Sequence, residues 1–390
     1  MRFANRLATL QANVFADMDR AKQQAVAAGQ DLIDLSLGSS DLPTPPHVLQ
    51  AISESLADPA NHGYLLFRGT QKFRQVAAAW YEQRFGLAID PETEVLPLIG
   101  SQEGTAHLPL ALLNPGDYAL LLDPGYPSHA GGVHLAGGQI YPMPLLAEND
   151  FLPVLQDIPT AVLAQARMMV LSYPHNPTAA VAPFDFFQSA VQFCQQHNLV
   201  LVHDFPYVDL VFDNQSVPSI LQADPTKSVA IEFFTLSKSY NMGGFRVGYA
   251  IGNAELIKAL RQIKAIVDFN QYVGILNGAI AALTGPQDNV AQMVETFSQR
   301  RCALVEALQL IGWDVAMPQA AMYVWAKLPS TWALGSFEFC QQLVQATGVA
   351  VSPGVGFGKS GEGYVRFALV QEPAVLRAAV QRIQRFMQSV

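Results

Sequence analysis

Six short apolar runs separated by helix-length stretches dominate the first two thirds of this chain: Val95 to Ile99, Tyr118 to Leu122, Met168 to Ser172, Leu199 to His203, Ala230 to Leu236 and Arg246 to Ile251. Runs that are apolar at almost every position suit strands covered on both faces, and parallel neighbours need a crossover of a dozen or more residues, usually a helix. The spacing therefore predicts an α/β chain with a mostly parallel sheet between helical layers. Most runs end at polar or glycine-rich turns: Gly100 to Gly104, Asp123 to Pro127, Tyr173 to Thr178, Asp204 to Tyr207 and Ser237 to Ser239. In open α/β sheets, ligands bind outside the carboxyl ends of the strands, so these turns are where chemistry is expected.

Past Asn253 the pattern changes. Helical periodicity covers Ala254 to Leu283, Asn289 to Leu310, Ser336 to Thr347 and Ala374 to Ser389, with strand-like runs at Ala321 to Leu328 and Gly363 to Val370. With 390 residues, too many for one simple core, the chain divides into a large domain over 36–265 and a smaller α+β domain over 266–390. Residues 1–35 read as an amphipathic helical arm carrying Arg2, Arg6, Asp17, Asp19, Arg20 and Lys22, with little core of its own. The arm is expected to pack on the small domain or on another subunit.

Several function classes are disfavoured. A net charge of -9 with 14% charged residues leaves no basic surface for nucleic acid. No apolar run reaches membrane-spanning length, and the N-terminus lacks the apolar segment of a secretion signal. Cys194, Cys302 and Cys340 are far apart and odd in number, so buried free thiols in a reducing cytoplasm are expected rather than disulfides or a zinc site. His107, His129 and His203 are scattered and read as packing or supporting residues, and no metal is expected.

Lys238 lies in Thr-Leu-Ser-Lys-Ser-Tyr-Asn-Met-Gly-Gly-Phe-Arg-Val-Gly, among hydroxyls and small residues, with Arg246 eight positions on. A lysine so placed suits covalent capture of an aldehyde cofactor bearing a phosphate, and pyridoxal phosphate fits. Asp204 closes the run Leu-Val-Leu-Val-His, where an unpaired carboxylate is costly and a cation is needed; capping of a following helix is the plainer alternative. Ser101 and Gln102 follow a strand and open an apparent helix over 103–113, whose free N–H groups suit an anion.

Taken together, these turns resemble class I/II aminotransferases of pyridoxal-phosphate fold type I, in the branch that holds the LL-diaminopimelate and aspartate aminotransferases. The resemblance covers nearly the whole chain. Asn176 precedes Asp204 by 28 residues, Tyr207 follows Asp204 by three, and Arg246 follows Lys238 by eight, all as that family requires. The resemblance implies a seven-stranded, mostly parallel sheet in the large domain. It implies that Lys238 carries the cofactor and then acts as the base that moves the substrate's α-proton. Asp204 would pair with the pyridine nitrogen, Tyr207 and Asn176 with the phenolic oxygen, and Tyr126 would stack on the ring. Ser101, Gln102, Thr235, Ser237 and Arg246 would hold the phosphate. Arg366, in Gly-Tyr-Val-Arg-Phe-Ala, would clamp the substrate's α-carboxylate, and Gly38 would bring its backbone to the substrate. Tyr64 would reach the cofactor phosphate of a neighbouring subunit, which makes the active unit a homodimer.

The implied activity is transfer of an amino group between an L-amino acid and a 2-oxo acid. The stretch from Ile266 to Leu276 lacks the second arginine of aspartate-specific relatives, so Asp268, Asn270 and Gln271 are candidates for meeting a distal amine or zwitterion, as in LL-diaminopimelate. A carbon–sulfur β-lyase and a non-catalytic cofactor-binding regulator are the rival readings. Ala179 and Ala321 stand where the family usually has glycine. Gly354-Val-Gly-Phe-Gly-Lys-Ser-Gly mimics a nucleotide-binding loop, but Pro353 stands where that loop needs glycine, and a flexible loop near the substrate is expected instead.

Overall fold

The computed structural model describes residue 1, residues 3–10 and residues 14–389. Arg2 of the expected arm lies outside the described residues; the helix Val14–Ala27 is the amphipathic part of it. Twelve strands follow in chain order: β1 Ile33–Asp34, β2 Val95–Leu98, β3 Tyr118–Asp123, β4 Gln139–Pro144, β5 Ala166–Leu171, β6 Val200–Asp204, β7 Ala230–Thr235, β8 Gly248–Gly252, β9 Tyr323–Lys327, β10 Val349–Ala350, β11 Ser352–Pro353 and β12 Tyr364–Ala368. Seven of them form the large sheet in the order β2-β8-β7-β6-β5-β3-β4, parallel except that β8 runs against both its neighbours.

The six expected runs all form strands of this sheet, and their near-continuous apolarity has a direct cause. Leu120 and Leu122 enter one buried cluster while Ala119 and Leu121 enter another on the opposite face; Met169 and Leu171 divide from Met168 and Val170 in the same way. Side chains alternate across a strand, and here both faces are covered by helices. The strand that sequence reading missed, β4, contains Pro142 and Pro144. Proline cannot donate to a ladder and is confined to sheet edges, and β4 is one edge. The opposite edge, β2, contains Pro97, and the five inner strands contain none.

A second cluster organises the smaller sheet, β11-β12-β9, together with the helices Asp288–Leu310, Ser336–Thr347 and Pro373–Ser389. Met18, Ala21 and Ala25 of the N-terminal helix belong to this cluster, and β1 pairs in parallel with β10, so this part of the arm is stitched to the smaller unit, while Arg6, earlier in the chain, donates to Leu135 O at 3.3 Å in the large domain. The expected helix over 254–283 is broken. Ala254–Val267 ends at Asp268, Phe269 takes a positive φ of 57°, and Val273–Thr284 begins a new helix. A residue in the left-handed region cannot continue a right-handed helix. The second of these helices, which a division at 265/266 gives to the small domain, buries Leu276, Ala279 and Ala282 in the large-domain cluster. No helix among the described residues is long and apolar enough to cross a membrane.

A candidate active site at the carboxyl ends of the strands

One cavity of about 510 Å³ opens where the carboxyl ends of the sheet strands meet the smaller unit. Of the residues expected in the site, Ser101, Gln102, Tyr126, Asn176, Asp204 and Tyr207 line it from the turns after β2, β3, β5 and β6. Thr235, Ser237, Lys238 and Arg246 line it from the segment between β7 and β8, and Gly38 and Arg366 from the side of the small unit. Tyr64 does not join them. It is 93% exposed and meets the Phe269 ring edge-on, centroids 6.4 Å apart.

Asp204, the last residue of β6, is buried. His129 Nε2 lies 3.1 Å from its Oδ2, while Oδ1 is buried with no partner. A buried unpaired carboxylate oxygen is costly, and a ring cation seated in the cavity would satisfy it. His129 comes from the helix Pro127–Ala136, whose N-cap is Tyr126; the Tyr126 ring meets the His129 ring edge-on at 5.7 Å. The histidine read from sequence as a supporting residue therefore holds one carboxylate oxygen and leaves the other to the cavity.

The anion cup is built from backbone. The helix Ser101–Leu112 starts after Gly100 (φ 77°, ψ 159°) with no side chain capping its first N–H groups. A Cβ at position 100 would stand 2.6 Å from Nη2 of Arg246, so only glycine admits the guanidinium against the helix start. Arg246 donates from Nη1 to Gly243 O at 3.0 Å, and among the described residues no carboxylate lies within ion-pair range of it. Thr235 Oγ1 donates to Ser237 Oγ at 2.8 Å and accepts from Ser237 N–H at 3.2 Å. A helix N-terminus, two hydroxyls and an uncommitted guanidinium together fit a phosphate.

Lys238 Nζ donates to Gly38 O at 2.5 Å and lies 5.9 Å from the centre of the Tyr207 ring. Tyr207 is buried, and its hydroxyl pairs with that of Tyr323 at 2.8 Å. Burial, reinforced by Tyr323, holds the Tyr207 phenol well above its ordinary pKa, so it stays protonated. Tyr323 was not foreseen. Its hydroxyl would stand 2.1 Å from a Cβ at position 38, which excludes any residue but glycine there, and its ring lies 4.2 Å beneath the Arg366 guanidinium. Arg366 is buried too. It donates from Nη1 to Asn176 Oδ1 at 2.8 Å and from Nη2 to Ser36 O at 2.7 Å, and its Nε is buried without a partner. Among the described residues no carboxylate meets it, so a planar cation is held ready for an incoming carboxylate.

The other expectations resolve as follows. Asp268, Asn270 and Gln271 do not line the cavity. Asp268 Oδ1 pairs with Lys264 at 3.3 Å, and Asn270 and Gln271 donate to Leu65 O and Leu98 O at 3.0 and 3.2 Å. Glu103, His107 and Asp268 offer ligand atoms within 4.8 Å of one another, but the Lys264 ammonium already bonds both oxygens of Glu103, at 2.9 and 3.0 Å, as well as Asp268. The glycine-rich stretch at 354–361 is anchored rather than loose. Asp123 Oδ1 and Oδ2 accept from Ser360 N–H and Oγ–H at 3.1 and 3.0 Å, and Phe357 lines the cavity. Ala179 and Ala321 both adopt positive φ, 59° and 63°, keeping the backbone shape that glycine would take.

Comparison with known proteins follows the same lines. The family model described as aminotransferase class I and II matches residues 30–383. An LL-diaminopimelate aminotransferase of Dehalococcoides mccartyi is 43% identical over 386 residues, 99% of either chain, and LL-diaminopimelate aminotransferase 2 of Nostoc sp. is 43% identical over 98% of both. Among solved structures, substrate-bound BacF of Bacillus subtilis superposes with a TM-score of 0.94 at 35% identity, covering 99% of this chain and 98% of that one. A probable N-succinyldiaminopimelate aminotransferase of Thermus thermophilus gives 0.91 at 42%, covering 95% of this chain and 99% of that one.

Proposed function

The chain belongs to the class I and II aminotransferases, a pyridoxal-phosphate-dependent family of fold type I, and from that premise we propose that its amino donor is LL-diaminopimelate. The protein moves an amino group between an L-amino acid and a 2-oxo acid in two half-reactions. The donor reading rests on the full-length identity to the diaminopimelate enzymes of Dehalococcoides and Nostoc.

Pyridoxal phosphate, when bound, supplies an electron sink for the pair released as the substrate's Cα–H bond breaks. The rest is the work of the chain. Asp204 Oδ1, buried and without a partner among the described residues, would accept from the protonated pyridine nitrogen, with His129 fixing the other oxygen. The first N–H groups of the Ser101–Leu112 helix, the hydroxyls of Thr235 and Ser237 and the Arg246 guanidinium would hold the phosphate. Tyr126 would lie against the ring, and Tyr207 and Asn176 would bond its phenolic oxygen. Arg366 orients the α-carboxylate, which sets the Cα–H bond toward the base. With the cofactor bound, the Lys238 amine would hold it and would serve as general base and then acid for the substrate's α-proton. The single observation that carries this reading is the convergence around Lys238, in one cavity, of an unpaired buried Asp204 oxygen and of two arginines, Arg246 and Arg366, that no carboxylate meets among the described residues.

We place the active protein as a homodimer in the cytoplasm. The exposed Tyr64 ring, with Leu66, Ile266 and Val267 also exposed, suits a face covered by a second copy. Three free cysteines, two of them buried, suit a reducing compartment. The domain division at 35/36 and 265/266 is part of the same proposal.

The experiment is a visible absorption titration of the purified protein reconstituted with pyridoxal phosphate. LL-diaminopimelate is expected to bleach the visible band, and a 2-oxo acid to restore it; a Lys238→Ala variant is expected to lose at least about 10²-fold in kcat. Pyruvate and ammonia released with no oxo acid present would instead establish a β-lyase. Bleaching by alanine or methionine but not by LL-diaminopimelate would remove the donor.

A further inference from the structure

The residues first considered for the distal end of the donor, Asp268, Asn270 and Gln271, are turned away from the cavity and spent on other contacts. Another element occupies that position. The helix Val14–Ala27 presents Phe15, Met18, Asp19 and Lys22 to the cavity, spaced as one face of a helix. Two of the four are charged, on a face whose next members inward, Ala21 and Ala25, are buried in the small-domain cluster.

Lys22 is 9% exposed and held by three neighbours: Asp19 Oδ1 at 2.7 Å, Asp34 Oδ2 at 3.1 Å and Ser36 Oγ at 3.4 Å. Asp34 is spent, because its Oδ1 also accepts from the Ser36 N–H and hydroxyl at 2.8 and 2.6 Å. Asp19 is not, since its side chain is 60% exposed and Lys22 is its only partner among the described residues. The other face of Ser36 meets the α-carboxylate clamp, its carbonyl accepting from Arg366 Nη2 at 2.7 Å. Lys22 and Arg366 thus flank a single residue, Ser36, and Asp19 and the α-carboxylate clamp open on the same cavity. Arg366 Nε, buried and unpartnered in the same cavity, marks which end takes the α-carboxylate. Phe15, Met18 and Phe357 supply apolar wall for the methylenes.

We infer that Asp19 is a specificity-determining residue, its free oxygen receiving the distal ammonium of a diamino diacid donor while Lys22 holds the other oxygen in place. The inference rests on the cavity being the donor site. It accounts for selectivity by charge: a donor ending in a carboxylate alone meets the free oxygen of Asp19 with no ammonium to satisfy it, and the like charges repel.

The test compares two donors that differ only in the distal amine, LL-diaminopimelate and L-2-aminopimelate, on the reconstituted enzyme. The wild type is expected to favour the diamine in kcat/KM, and Asp19→Asn to reduce that preference about tenfold, the worth of one partly exposed charge-assisted hydrogen bond. Asp19→Lys is expected to reverse the preference toward L-2-aminopimelate, a gain that a folding defect cannot produce. An equal preference in wild type and Asp19→Asn, or no preference in the wild type, overturns the inference. A wild type that prefers the diamine of this pair, yet uses both poorly beside alanine or methionine, overturns the donor proposed above and leaves the role of Asp19 standing. No turnover of either donor overturns both.

Discussion

Arg366 shows how much a single side chain carries in this site. Its two terminal nitrogens reach Asn176 and Ser36 at once, and its planar face rests on Tyr323, an arrangement that a lysine ammonium cannot copy. Arg366→Lys is therefore expected to raise KM for amino-acid donors about tenfold or more, because a charge-assisted hydrogen bond to the substrate's carboxylate is lost. Unchanged KM would remove the clamp role. His175 makes a different prediction. It is fully buried, bonded through Nδ1 to Thr178 at 2.8 Å, and burial, helped by nearby His129, lowers its pKa to about 3 from the ordinary 6.5. The unfolded chain takes up a proton near 6.5 that the folded one refuses, so the stability this residue lends is complete above 6.5 and is lost as pH falls toward 3. Urea midpoints between pH 7.5 and 5 should fall less steeply in His175→Asn than in the wild type; parallel slopes would contradict the assignment. Many of the site residues legible in the sequence sit at or just past the carboxyl end of a sheet strand, where the sheet itself brings them together: Asp204 closes β6, and Asn176, Tyr207 and Lys238 follow β5, β6 and β7. Tyr323, Asp19, Lys22 and Ser36 were not legible, because they reach the cavity through packing of a distant strand and the N-terminal helix, and no local spacing encodes that.

At the scale of elements, the inner strands were readable because both their faces are buried, which leaves a run of apolar residues and little else. β4 was not readable because its two prolines contradict the ordinary signature of a strand, and the break between the helices Ala254–Val267 and Val273–Thr284 was hidden because Asp268 to Tyr272 contains neither glycine nor proline. What ends that helix is Phe269 at positive φ, with Asn270 and Gln271 bonded to backbone carbonyls of other segments. The turn after β5 holds a related conflict. Ala179 is buried at φ 59°, a backbone state in which a Cβ is unwelcome, and Ala321 repeats this before β9. Ala179→Gly and Ala321→Gly are each expected to stabilise the fold by up to about 1 kcal/mol, read from urea midpoints, since the strain relieved exceeds the entropy that glycine adds to the unfolded chain. A loss of stability in both would show that these turns carry no strain.

The whole molecule sets the remaining question, what Tyr64 is for, since its ring stands in solvent away from the cavity that holds the other residues expected to bind the cofactor. Hybrids of Lys238→Ala and Tyr64→Ala chains answer it. If Tyr64 serves its neighbour's site, the mixed dimer holds one complete site and its activity exceeds that of both parents; if it acts within its own chain, mixing adds nothing. The two margins of the seven-stranded sheet bear on how copies of this protein can meet. β2 carries Pro97 and β4 carries Pro142 and Pro144, each lacking the N–H that a further strand would need. Copies crowded together during synthesis or refolding are thereby hindered from extending the large sheet strand by strand into a growing ribbon.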